Sequence, residues 1–311
     1  MNSLTAKCIL AGLGAGFFVA QASAGLLIYE GFVGYEVGSL AGQAATGTGL
    51  TGQWALRGVD QTNYTATGLS FGSLATTGGA ASFSLPGKEV SVIGAEIDLA
   101  APVTGTVYAS MLFNFSSLDE DTDSLSGLRI SDNIGLENNN RFSTYADAQG
   151  ETEYIPGVAY NNSQSFSEQI LTLGTTYIAL SIFENVGETL TSENTGEGSV
   201  YVLDEAQFED FVANGRDESN LTGRTIGSGA TQLTAFAAEP SNDDGDTFSL
   251  EGGDFLGLAS YSDTGGTVAG IYDELRWGTS LDDVVVVPEP ASLAFLLGMG
   301  MFCSVLIRRR R

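Results

Sequence analysis

Between Gly25 and Val287 the apolar residues come in short runs, and several of those runs have period two. "ASFSL" puts Phe83 and Leu85 on one side, and "GAEIDLA" does the same with Ala95, Ile97 and Leu99. Successive strand side chains point to opposite faces, so this alternation describes strands with one buried face. "GLLIYEGF" opens the series, and "GTVYASMLFNF", "TTYIALSIFENV", "SVYVLDE", "DFLGLASY" and "IYDELRWG" follow, all rich in β-formers. Clusters of Gly, Asn, Asp and Thr separate them, as turns require. Helical spacing is almost absent; "LDEAQFEDFVANG", Leu203 to Gly215, predicts one short helix. Many strands with hardly a helix predict an all-β fold, a sandwich or a jelly roll. No Pro-rich linker and no repeat of fixed period divides residues 25–286, which reads as one domain.

The two ends follow other rules. Residues 1–24 have an early cation, Lys7, an apolar run from Cys8 to Ala20, and then Ala22-Ser23-Ala24. That is the pattern of a secretory signal peptide cleaved after Ala24, with Gly25 as the first mature residue. It implies the Sec translocon and signal peptidase as partners. At the other end, residues 287–311 hold Pro288-Glu289-Pro290, an uncharged stretch from Ala291 to Ile307, and then Arg308, Arg309, Arg310 and Arg311. The 17 uncharged residues reach the lower limit for a transmembrane helix across a core of about 30 Å. The arginines orient it with its C-terminus in the cytoplasm. Two prolines keep the triplet extended, a form that a protease or transpeptidase can grip.

The exported body has 37 acids against seven cations, Arg57, Lys88, Arg129, Arg141, Arg216, Arg224 and Arg276. Such a charge repels nucleic acid, so no nucleic-acid partner is expected. It suits a solvated exported protein, or one that meets divalent cations. Cys8 and Cys303 both lie in the terminal segments, and there is no histidine anywhere. The body therefore has no disulfide, no Ser-His-Asp triad, no thiol nucleophile and no Cys/His zinc site.

Three groups of side chains invite a chemical reading. In "LDEDTDSLSG", Asp119, Asp121 and Asp123 have the first spacings of a calcium loop. Ser124 replaces the required Gly and Ile130 the closing Glu, so it is either a looser calcium site or a solvated loop. "PSNDDGDTF" offers Asp243, Asp244 and Asp246 on the same two readings. In "IYDELRWG", period two puts Ile271, Asp273, Leu275 and Trp277 on one face, and Tyr272, Glu274 and Arg276 on the other. Glu274 and Arg276 then form a surface ion pair, and Asp273, on an apolar face, needs a partner and ties down a neighbouring loop. Trp54 and Trp277 are either core residues or sugar-stacking platforms.

The order Pro-Glu-Pro, apolar helix, arginine cluster resembles the PEP-CTERM sorting signal. That resemblance implies an exosortase, a membrane cysteine transpeptidase, as the processing partner. It also implies that the helix is a temporary anchor, with the cell envelope or extracellular matrix as the destination. "LLIYEGFVGYEVGSLAGQ" and "IYDELRWGTSLDDV" resemble the opening and closing strands of LamG-like, concanavalin A-like jelly rolls. This second resemblance implies a jelly-roll sandwich of two curved antiparallel sheets with the first and last strands as neighbours, and it brings no settled activity. Glu96 and Asp98 are similar to the first two acids on the catalytic strand of family 16 glycoside hydrolases, but Ala100 and Ala101 occupy the place of the third. The expected function is thus a non-catalytic surface or matrix module with exopolysaccharide as its partner. The alternatives are a secreted carbohydrate-active enzyme and a permanently anchored single-span surface protein.

Overall fold

The computed structural model describes residues 25–87, 89–118, 125–131, 140–148, 153–160, 163–166, 169–189, 198–221, 249–261 and 266–287. In chain order the strands are β1 (Leu26–Glu30), β2 (Gly38–Ser39), β3 (Leu50–Gly58), β4 (Thr62–Thr65), β5 (Ala80–Pro86), β6 (Val90–Ile97), β7 (Gly105–Ser117) and β8 (Leu125–Ser131). They continue as β9 (Asn140–Ala148), β10 (Glu153–Tyr160), β11 (Ser163–Phe166), β12 (Leu171–Thr172), β13 (Tyr177–Val186), β14 (Gly198–Leu203), β15 (Phe255–Tyr261) and β16 (Thr267–Gly278). Helix α1 (Glu205–Ala213) follows β14, and α2 (Leu281–Val284) follows β16.

The strands form two antiparallel sheets. The first has the order β14-β13-β7-β16-β5-β4-β2, with β1 also paired to β16. The second has the order β11-β10-β9-β8-β15-β6-β3, with β12 paired to β10. The main core lies between them. Phe83 and Leu85 of β5, and Met111, Phe113 and Phe115 of β7, meet Ile93, Ala95 and Ile97 of β6 and Leu256 and Leu258 of β15. This is the expected jelly-roll sandwich, and the period-two runs have their apolar members on the inner side. The first and last strands are neighbours, with Leu26 opposite Gly278 and Glu30 opposite Leu275.

A second, smaller core covers the outer face of the first sheet. Ile178, Leu180 and Ile182 of β13 and Leu112 of β7 pack there against Phe208 and Phe211 of α1 and Leu281 and Val284 of α2. Strands buried on both faces explain why "YIALSIF" and "MLF" are continuous apolar runs rather than alternating ones. Helix α1 falls inside the stretch that the sequence predicts. Its N-cap Asp204 accepts from Gln207 N at 2.8 Å, and the Gln207 side chain accepts in return from Asp204 N.

In β16 the observed faces differ from simple alternation. Tyr272, Leu275 and Trp277 all point into the main core, because a bulge lies between Asp273 and Arg276. Glu274 takes the extra position with φ of +52°, a left-handed conformation that non-glycine residues seldom adopt. The cause is a change of neighbour. The first half of β16 pairs with β5 up to Tyr272, and the second half pairs with β1 from Leu275. As a consequence Glu274 and Arg276 are buried, not a surface pair as expected.

Candidate functional site

Among the described residues, three acids whose pKa values burial raises surround this bulge. Glu30, Asp273 and Glu274 are all buried, with Arg276 as the cation among them. Arg276 Nη2 donates to Glu274 Oε2 at 2.6 Å and to the carbonyl of Ala75 at 2.6 Å. Its guanidinium lies 5.1 Å from the centroid of the Tyr29 ring. Glu274 also accepts from the Tyr29 hydroxyl at 2.9 Å and from the backbone N–H of Thr77. Glu30 accepts from Phe32 N and from the Tyr35 hydroxyl, both at 2.6 Å. Tyr35 in turn accepts from Trp54 Nε1 at 2.9 Å.

Asp273 ties down a loop, as its place in the sequence requires. Its Oδ2 accepts from Leu69 N at 2.7 Å and its Oδ1 from Glu274 N at 2.8 Å. A Cβ on Gly68 would come within 2.7 Å of that Oδ2, so only glycine lets the loop approach. Burial, helped by the charge of Glu274, pushes Asp273 up to about 8, against the two N–H donors that favour its anion. Burial also raises Glu30 and Glu274, although Arg276 opposes the shift at Glu274. Tyr29 and Tyr35 are each pushed up to about 12 by burial and by the adjacent glutamate.

Perturbed carboxyls are a common mark of active sites. Here every acid is engaged by the protein's own loops and the group is sealed from solvent. The arrangement joins the first strand, the last strand and the 66–79 loop. Among the described residues no group of three or more His, Cys, Asp or Glu could hold a metal ion.

Both tryptophans belong to the core. Trp54 stacks on Phe32 with centroids 6.1 Å apart, and Trp277 on Phe183 at 5.5 Å. Neither is a platform for sugar. Glu96 and Asp98 are exposed, while Ala95 and Ile97 face the core. The residues opposite Glu96 in register are Thr51 and Phe255, so no second carboxylate stands beside it across the strands.

A more promising constellation lies on the outward face of the second sheet, which carries neither described helix. Arg57 of β3 is opposite Val92, and Val92 is opposite Ala259. Two residues from Ala259 along β15 are Tyr261 on one side and Gly257 on the other, and Gly257 is opposite Arg129 of β8. Arg129 crosses close above Gly257, where an added Cβ would meet its Cγ at 3.4 Å. The Arg129 guanidinium donates to the Tyr261 hydroxyl. Burial raises the pKa of Tyr261, and the charges of Arg129 and Arg57 pull it back. Arg129 thus bonds this tyrosine and Arg57 acts on it through its charge, beside the buried Val92 and Ala259. Arg57 and Tyr261 are half-exposed, whereas Arg129 is buried. The sequence reading missed this group. Its available signals were the scarcity of cations and the polar position of Arg129 between two inward residues, Leu128 and Ile130.

The remaining site expectations fall elsewhere. Asp119, Asp121 and Asp123, Asp243, Asp244 and Asp246, and Ala22 and Ala24 lie outside the described residues, as do Pro288, Glu289, Pro290 and Arg308 to Arg311. Gly25 is described, and its carbonyl accepts from Thr279 N at 3.1 Å, beside the C-terminal end of β16. No helix among the described residues is long and apolar enough to cross a membrane. The expected span, 291–307, is not among them.

Residues 286–311 match the model of the PEP-CTERM protein-sorting motif. The chain ends in a PEP-CTERM sorting signal. A PEP-CTERM signal marks an exported protein sorted at its C-terminus, and it implies processing by an exosortase. No curated protein matches the chain in sequence. Solved structures similar to this chain include the carbohydrate recognition domain of Emp47p, at 7% identity over 83% of this chain and 98% of that one, with a TM-score of 0.41. Peanut lectin is similar at 11% identity over 79% and 98%, with a TM-score of 0.38. A GH131 β-glucanase catalytic domain from Podospora anserina is similar at 8% identity over 71% and 82%, also at 0.38. Likenesses at this level decide neither ligand nor catalysis.

Proposed function

We propose that this PEP-CTERM protein is a non-catalytic module of the cell envelope or extracellular matrix that binds polysaccharide through the outward face of its second sheet. The carrying observation is the meeting of Arg57, Arg129 and Tyr261 on that face, while both described helices occupy the first sheet. Half-exposed guanidinium and phenol groups are directional donors for sugar hydroxyl or acid oxygens. The phenol ring adds an apolar surface. The absence of catalysis is supported at Glu96. A retaining hydrolase needs two carboxyls about 5 Å apart, and the cross-strand neighbours of Glu96 are Thr51 and Phe255.

The test is a glycan array run beside a reducing-sugar release assay on the purified mature protein. Binding is expected, and Arg57→Ala with Tyr261→Ala is expected to abolish it without changing the circular dichroism. No hydrolysis of laminarin, agar, carrageenan or mixed-linkage glucan is expected. Turnover that disappears in Glu96→Gln would replace this reading with a hydrolase. Binding that survives the double substitution would move the ligand to another face.

A further inference from the structure

The sorting motif begins inside the folded body. Its match starts at Val286, and the described chain continues to Val287. From Leu281 onward this segment lies on the outer face of the first sheet. Leu281, Val284 and Val285 are buried in the second core, and Val287 packs against it. Three successive carbonyls are each held by a different part of the body. That of Val284 accepts from Ser110 Oγ of β7 at 2.8 Å, and that of Val285 from Arg216 Nη1, beyond α1, at 3.1 Å. That of Val286 accepts from Ala75 N, in the 66–79 loop, at 2.8 Å. Arg216 adds an ion pair to Asp282 of α2 at 3.2 Å. Pro288 follows with no spacer.

A peptide-cleaving or transferring enzyme takes its substrate as an extended strand and binds its backbone groups. Those groups are already engaged here. An extended grip that includes even two residues before Pro288 would compete with Ala75 for Val286. A grip that includes three would compete with Arg216 as well.

We propose that residues 284–287 act as a latch, holding the processing enzyme off its sorting triplet until the strap detaches from the first sheet. The inference rests on the reading that an exosortase processes this chain. The latch couples release to the folded body. Strap opening without global unfolding exposes Val285 to Val287, because the strap's partners Ser110, Arg276, Arg216 and Ala75 lie in four separate elements that remain joined without it. Loss of one of its hydrogen bonds is worth about five-fold in the opening equilibrium.

The test uses the full chain in a host with its own exosortase, with pulse-chase measurement of the membrane-bound and released forms. An eight-residue Gly-Ser spacer between Val287 and Pro288 leaves every body contact intact and is expected to speed release about five-fold or more. Arg216→Ala is expected to speed it about five-fold by freeing Val285 and Asp282. Resistance of the body to trypsin checks that each variant is folded. The control replaces Pro288, Glu289 and Pro290 by alanine. If wild type is released and this control is not, unchanged rates in the spacer variant overturn the latch and leave the sorting reading intact. If wild type and control behave alike, the sorting reading fails, and the latch fails with it.

Discussion

Replacing Arg276 by methionine is the sharpest probe of the joint between the first and last strands. The substitution keeps much of the stem and removes the only cation, among the described residues, of a site that also holds Glu30, Asp273 and Glu274. It breaks the 2.6 Å bond to Glu274 and the 2.6 Å bond to Ala75 O, and it strips the Tyr29 ring of its guanidinium. A surface pair would be worth under about 1 kcal/mol. A buried pair broken from one side costs about 3–5 kcal/mol, because the partner charge is stranded. At about 2–4 °C per kcal/mol for a domain of this size, Tm should fall by roughly 6–20 °C. The pH dependence adds a second reading. The Glu274 carboxyl is already raised by burial, and Arg276 is the largest of the influences that restrain it, ahead of the bonds from Thr77 and Tyr29. Without that cation its folded pKa rises further, so the variant's stability is retained at low pH and lost as pH climbs through the new value. The gap between wild type and Arg276→Met should therefore widen from pH 5 to pH 8 in calorimetric melts of the mature protein. Arg276→Met combined with Glu274→Gln should recover part of the loss. A Tm change of a degree or two, the same at both pH values, would mean that the pair is not buried and that the argument is wrong.

Two other outcomes are expected. Asp273, held near 8 in the folded state, binds a proton that the unfolded chain releases near pH 4, so its contribution to stability falls as pH rises from about 4 to about 8. Asp273→Asn should remove that part of the slope in a Tm series from pH 4 to pH 9, and an unchanged slope would assign the proton to another group. Asp204→Ala should cost about 1 kcal/mol in urea unfolding, because it leaves the Gln207 N–H of α1 without its cap.

Legible in the sequence were the all-β class, the sandwich, eight of the sixteen described strands and the buried face of most of those eight. Local alternation reports which side of a strand is apolar, and Phe83, Leu85, Ala95 and Ile97 all face the core accordingly. The helix at Glu205–Ala213, the need of Asp273 for a partner and the sorting signal were legible for the same reason: each is written in a few adjacent residues. Strands β3, β8 and β10 are among the eight that were not singled out. Glycines interrupt their patterns, and Pro156 sits inside β10, so their pairing comes from neighbours far along the chain. The bulge at Glu274 was likewise hidden. It arises where β16 exchanges β5 for β1, a choice made only when both strands are in place, and it turned an expected surface pair into a buried one. Arg129 and Tyr261 stand on the neighbouring strands β8 and β15, while Arg57 stands on β3, which β6 separates from β15. Their meeting depends on register across that sheet, which no local pattern encodes, so tertiary structure alone brought the candidate ligand face together.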